Sequence, residues 1–398
     1  MSAVRTGLDR IAAGDLDAVA HVRGRRVGLV AHPASIDSRF RHARDVLLEA
    51  GATIGVLFGP EHGFGGEAQD MIGVLTAVDP VSGAPVHSLY GDAPSALSPR
   101  PEHLDGLDAV VVDLQDVGAR YYTFVWTAAL VLRACAAEGI PTVVLDRPNP
   151  LGGATLEGAP QHHGYRSFVG LYDVPVRHAM TIGEICTMVA RLEGLPDDAL
   201  AVVRMHGWER AMLWEHTRLP WVPPSPNMPT PDTARVYPGG CVLEGTNLSE
   251  GRGLTRPFEL WGAPFVDGAA LAREVRVDGA VLRPSTFRPT FHKHAGRVCG
   301  GVFVHVTDAA RFRPHEAYLR MIAAVARMAP EVFAWRTDTY EFVPYADRPA
   351  IDLLTGGPAY RHTVKAAKKL DAFLAADAEE AERFRTTREP WLLYQPHG

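Results

Sequence analysis

The chain has 398 residues, 46% of them hydrophobic and 22% charged, enough to bury a large core and to form two domains. A formal net charge of −6, with Lys and Arg scattered rather than clustered, leaves no basic footprint and excludes nucleic acid as a partner. No apolar run reaches membrane-spanning length, so no membrane partner is expected; the N-terminus lacks the apolar core of a signal peptide, so the expected compartment is the cytoplasm.

Residues 7–20 read as a helix, and Arg25 to His32 as a buried strand running into Pro33-Ala34-Ser35. A helix rich in Arg and Ala follows through Leu48. A second strand, Thr53 to Phe58, ends in Gly59-Pro60-Glu61-His62-Gly63-Phe64. A charged pair bracketed by glycines and a proline, where a buried strand must stop, is a poor way to build a core and a good way to present a carboxylate. After a loop rich in glycine and acids, Val86 to Tyr90 reads as a short strand, then Ala109 to Asp116 as a strand whose apolar run ends in Asp113, Gln115 and Asp116. A long apolar helix from Phe124 to Glu138 returns the chain to a strand at Pro141 to Leu145, which runs into Asp146, Arg147 and Asn149.

Continuous β-branched strands separated by helices imply a parallel sheet covered on both faces. In such sheets ligands bind beyond the carboxyl ends of the strands, and the polar residues collect there: His32, Glu61 with His62, Asp113 with Gln115 and Asp116, and Asp146 with Arg147 and Asn149. Each alone reads equally well as a turn residue or helix cap. As a set they point to a site, because glutamate and histidine are not favoured turn residues. His32-Pro33-Ala34-Ser35 stands where a dinucleotide fold would carry Gly-x-Gly-x-x-Gly, and no Walker-type phosphate loop occurs, so no cofactor is expected.

Beyond Asn149 the chain turns loop-rich. Thr181 and Glu184 read as the capping box of a helix, which makes Glu184 structural; Ala201 to Met205 is a further short strand. Five prolines in eleven residues, Trp221 to Pro231, dictate a rigid extended loop, and its Trp and Met suit a cleft wall or interdomain strap better than a linker. Leu243 to Phe258 gathers two carboxylates (Glu244 and Glu250), two guanidiniums (Arg252 and Arg256), Asn247 and hydroxyls among glycines, a composition suited to close approach to a polyhydroxylated or anionic ligand. Then come a helix at Ala269 to Val275, strands at Thr286 to Phe291 and Cys299 to Val306, a helix at His315 to Met328, and a final helix at Val364 to Arg383. The four cysteines, Cys135, Cys186, Cys241 and Cys299, form no Cys-x-x-Cys pair and read as buried thiols. The expected fold is α/β: a Rossmann-like, mostly parallel sheet with helices on both faces (residues 1–262), and a smaller α+β domain (residues 263–398) closing a cleft.

Gly59-Pro60-Glu61-His62-Gly63, Asp113 to Thr123, Leu145 to Gly153, Pro224 to Thr230 and Glu244 to Gly253 together resemble the NamZ/YbbC family, exo-acting β-N-acetylmuramidases formerly filed as a domain of unknown function. The match runs from His32 to Trp391. The resemblance implies release of N-acetylmuramic acid from the non-reducing end of a peptidoglycan-derived saccharide of MurNAc-GlcNAc type, during cell-wall turnover and recycling. The family includes exported members, whereas this N-terminus shows no leader.

Glycoside hydrolysis needs a carboxylic acid to protonate the leaving oxygen and a second group to activate water, form an adduct or stabilise positive charge; no metal is needed. Glu61 is the expected acid, with Phe58 and Phe64 as apolar neighbours. Glu250 is the expected second carboxylate, with Glu157 and Asp116 behind it; in a substrate-assisted route Asp116 or Asn227 would orient the acetamide. Arg120, Arg252 and Arg256 are candidates for the lactyl carboxylate, and Tyr121 or Tyr122 for stacking on the sugar. His62, Gln115, Asn149 and Asn247 complete the expected binding set. Two rival readings use the same residues: a metal-dependent hydrolase built on His32, His62, Asp113 and Asp116, though without a His-x-x-x-His pair, and a non-catalytic amino-sugar-binding protein.

Overall fold

Val27, Leu29, Val111, Val143 and Leu145 pack to one side of the main sheet, and Val30, Val56, Val110, Val112 and Val144 to the other. Successive strand residues face opposite ways, and both faces are covered, so the strands read as unbroken apolar runs. The computed structural model describes residues 3–66, 77–344 and 346–394. The loop rich in glycine and acids after Glu61 lies for the most part outside them.

Among the described residues the sheet has seven strands, β1 (Arg26–Val30), β2 (Thr53–Gly59), β3 (Ala77–Val78), β4 (Pro85–Ser88), β5 (Ala109–Val112), β6 (Thr142–Leu145) and β7 (Leu200–Val203), in the order β3-β4-β2-β1-β5-β6-β7. Only the short β3 runs antiparallel to its neighbour. The order reverses between β1 and β5, the crevice position at which open α/β sheets bind ligands. Helices Phe124–Ala137 and Ile182–Leu192 pack together over one face, and Gly7–Ala12 with Ala43–Glu49 over the other. Thr181 and Glu184 form the capping box the sequence predicts.

A second, antiparallel sheet has the order β8 (Leu260–Ala263), β10 (Cys299–Val306), β9 (Ala280–Phe287). β9 begins six residues before the expected strand and ends at Phe287, so Arg288 to Phe291 start a loop instead. Helix Gly268–Glu274 packs on β9 and β10, and helix Pro314–Met328 lies against helix Pro231–Gly240. The last of these was not expected. It starts at the final proline of the rigid stretch, where Thr230 caps it and a first-turn proline loses no helical hydrogen bond. The final helix is Ala367–Thr387. Beyond it Tyr394 returns to the main sheet and donates its hydroxyl to Asp146 at 2.7 Å. All four cysteines are buried free thiols, and no described helix is long and apolar enough to cross a membrane.

Candidate active site

A Cβ at Gly59 would stand 2.2 Å from the backbone nitrogen of Phe64, so only glycine lets the chain fold back at the end of β2. Gly63 closes the turn by donating its N–H to the Pro60 carbonyl at 2.9 Å, and His62 is forced to φ 75°. A bulky residue in the left-handed region is strained, and such strain persists where the surroundings over-determine it. The turn holds Glu61 at 6% exposure, and its Oε2 accepts the Thr123 hydroxyl at 2.8 Å. Thr123 opens helix Phe124–Ala137, so the carboxylate of β2 is tied to the helix that follows β5.

Glu61 faces a cleft with room of about 30 Å³. Of the residues expected from sequence, His62, Tyr121, Tyr122, Asn227 and Arg252 line it with Glu61. Phe58 and Phe64 do not: Phe58 lies against His87 and His103, and Phe64 against His42. The aromatic walls are instead Tyr121, Tyr122, Phe124, Tyr237, Phe258 and Tyr340. Burial pushes the phenols of Tyr121, Tyr122, Tyr237 and Tyr340 well above their usual range, which keeps them neutral. Two more carboxylates share the cleft with Glu61: Glu244, which the sequence marks in the polar segment without a catalytic role, and Glu341, which sequence reasoning passed over. Glu244 accepts from Arg252 Nη2 at 2.7 Å and from the Tyr340 hydroxyl at 2.9 Å; Glu341 accepts from the Tyr90 hydroxyl at 3.2 Å.

The other expected residues lie elsewhere. Glu250 is fully buried behind Arg252, within 3.2 Å of Arg252 Nε, 2.9 Å of His292 Nδ1 and 3.0 Å of Lys293 Nζ. Burial alone would raise its carboxyl, but Lys293, His292 and Arg252 outweigh it and hold the group well below the usual carboxylate range. Glu157 pairs with Arg177 at 3.0 Å and caps helix Pro314–Met328 by accepting the His315 N–H at 3.1 Å. Burial nonetheless pushes its pKa up to about 7. Arg120 is fully buried, donates from its two terminal nitrogens to the carbonyls of Ala159, Val174 and Leu354, and does not line the cleft. Arg256 lies outside the cleft beside Glu259 and Thr230. Asn247 bonds Val332 and Ala334; Asn149 bonds Met180 and Leu151.

Three of the four strand ends therefore form the foundation of the site and not its surface. Gln115 bonds the Asp116 and Pro148 carbonyls; Asp116 accepts from Gly118 N and sits 3.3 Å from His178. Asp113 makes a bidentate pair with Arg147 at 2.5 and 2.8 Å. Asp146, pushed up to about 6 by burial, is held by Thr181, Gly183 and Tyr394. His32 Nε2 accepts the Gln115 N–H at 2.9 Å, which leaves Nδ1 to donate to the Pro224 carbonyl at 3.2 Å. That pair of bonds pins the proline-rich strap to the ends of β1 and β5, and the strap brings Ser225, Asn227 and Met228 to the cleft. With both ring nitrogens used, His32 has none to offer a metal. Among the described residues no group of three or more His, Cys, Asp or Glu side chains is placed to hold one.

Residues 27–232 match the N-terminal domain model of the exo-β-N-acetylmuramidase NamZ, and residues 235–394 match its C-terminal domain model. The chain belongs to the NamZ family. It is thereby a glycosidase of exo-β-N-acetylmuramidase type, an activity of peptidoglycan turnover. The peptidoglycan β-N-acetylmuramidase NamZ of Bacillus subtilis (strain 168) is 38% identical over 395 residues, spanning 98% of this chain and 91% of that one. A DUF1343 family crystal structure from Bacteroides fragilis superposes with a TM-score of 0.85 at 29% identity, covering 98% of this chain and 99% of that one. A second from the same organism gives 0.74 at 26% identity, with both chains fully covered. The seven-stranded sheet with a separate three-stranded one is thus a NamZ-family architecture.

Proposed function

We propose that this cleft releases N-acetylmuramic acid from the non-reducing end of peptidoglycan-derived saccharides, with Glu61 as general acid. The observation that carries the reading is a buried Glu61, fixed by Thr123, in one cleft with Glu244, Glu341 and Arg252. Glu244, bonded to a guanidinium and a phenol, is the carboxylate suited to stay ionised beside a developing oxocarbenium charge. Arg252 is the expected arginine that lines the cleft, and in this reading it receives the lactyl carboxylate that separates muramic acid from glucosamine. Asn227 stands in the same wall for the acetamide, and Tyr121, Tyr122 and Tyr237 supply faces for the sugar. The test is turnover of a chromogenic β-N-acetylmuramide by the wild type, and of a MurNAc-GlcNAc disaccharide by the wild type and by Glu61→Gln, which should be slowed strongly on the disaccharide. A purely sugar-binding protein would bind the compound and release no chromophore.

A further inference from the structure

The loop between β9 and β10 grips the glycine-rich segment of the cleft wall along its length. Lys293 Nζ donates to the carbonyls of Leu243 and Leu248 at 3.0 and 3.2 Å and to Glu250 Oε2 at 3.0 Å. Each of its three hydrogens thereby has an acceptor. His294 Nε2 meets the Asn247 carbonyl at 2.7 Å, and the Thr290 hydroxyl donates to the Gly253 carbonyl at 2.9 Å. Gly253 is required for that approach, since a Cβ there would lie 2.6 Å from Thr290 Oγ1. His292 and His294 hold φ values of 64° and 58° to deliver these contacts.

The charges decide what the grip achieves. Arg252 stands between two carboxylates, with Nη2 on Glu244 at 2.7 Å and Nε 3.2 Å from Glu250. A guanidinium facing two uncompensated carboxylates would sit in a net negative field and repel an anionic ligand. Glu250 is compensated from its far side by Lys293, with the His292 ring also against it. With Glu250 compensated, Arg252 and Glu244 stand as a neutral pair, and Glu250 no longer adds a negative field against an anion that approaches the guanidinium.

We propose that Lys293, which lines no part of the cleft, is a specificity-determining positioning residue: by neutralising Glu250 it keeps that buried carboxylate from opposing the lactyl carboxylate at Arg252. This rests on the reading of Arg252 as the lactyl-binding group.

The experiment measures inhibition by N-acetylmuramic acid and by its lactyl methyl ester, which differ in that one charge, against hydrolysis of a chromogenic muramide. Lys293→Met is expected to weaken the acid about tenfold, as the loss of one charge-assisted contact does, and to leave the ester within about twofold. Its loss of turnover should lie in KM more than in kcat. Lys293→Met/Glu250→Gln, which removes the opposed charges together, should restore the acid's advantage, and Lys293→Arg should retain it. If Lys293→Met weakens acid and ester equally, or the double variant fails to restore the difference, Lys293 only holds the loop and the proposal is overturned. If Lys293→Met does not fold, Lys293→Arg and the double variant carry the comparison against Glu250→Gln alone, which should bind the acid more tightly than the wild type; acid binding no tighter in Glu250→Gln overturns the proposal. Arg252→Met separates the two ideas: an unchanged acid-to-ester ratio there removes the reading of Arg252 itself.

Discussion

Thr123, the residue that opens helix Phe124–Ala137, donates its hydroxyl to Glu61 at 2.8 Å, joining the turn after β2 to the helix after β5. The bond crosses the switch point of the sheet and holds the carboxyl proposed as the general acid. Thr123→Val keeps the shape and removes the donor. It should lower kcat on a MurNAc-GlcNAc disaccharide by about three- to tenfold, the value of one hydrogen bond, with little change in KM or thermal midpoint. Unchanged kcat would mean that Glu61 is positioned by other contacts.

Glu244 and Glu341 can be ranked by substitution. With Arg252 and Tyr340 holding it, Glu244 is the one suited to electrostatic work. Glu244→Gln should lower kcat by ~10²-fold or more, on activated and unactivated leaving groups alike, whereas Glu341→Gln should cost under ~10-fold. The reverse ranking would transfer the role to Glu341.

Glu157 should behave as a structural residue. Its carboxylate serves Arg177 and the start of helix Pro314–Met328, both buried, so Glu157→Gln should lower unfolding stability by about 3 kcal/mol. Turnover at 25 °C, measured on protein confirmed folded by circular dichroism, should stay within about threefold of wild type. A folded but inactive variant would return Glu157 to the chemistry.

His32 makes stability depend on pH in a predictable direction. Burial, then the Arg147 charge, depress its pKa well below 6.5, so the unfolded chain binds more protons than the folded one below that pH. Its contribution is full above 6.5 and is lost as pH falls from there toward the folded pKa. Glu157 and Asp146, raised to about 7 and about 6, act in the opposite sense, so the test is a difference. Denaturant titrations at pH 7.5 and 5.5 should show a smaller acid-side loss for His32→Gln than for wild type. An equal loss would mean that His32 is already protonated in the fold.

The sheet was legible because buried parallel strands leave an unambiguous trace, such as Val110-Val111-Val112, and Gly59 to Gly63 betrayed a carboxylate presented at a strand end. Helix Pro231–Gly240 was hidden by the prolines at its start and inside it. In the site, sequence named Glu61, His62, Tyr121, Tyr122, Asn227 and Arg252, all of which share the cleft. It could not separate Glu244 from Glu250, two carboxylates in one polar segment, because the difference lies in Lys293 and His292, which arrive from another hairpin. Arg120 is hard to read for a related reason: an arginine whose two terminal nitrogens donate to backbone carbonyls looks, in sequence, like one that awaits a ligand. Tyr340 and Glu341 sit in an irregular stretch with no periodicity to mark them.

The central claim is that Glu61 protonates the leaving oxygen, and leaving-group dependence tests it most directly. Glu61→Gln should be compared with wild type on a MurNAc-GlcNAc disaccharide and on an aryl muramide whose phenolate departs without a proton. The account predicts a loss of ~10²–10⁴-fold on the disaccharide and under ~10-fold on the activated aryl substrate. Equal losses on the two substrates would contradict it.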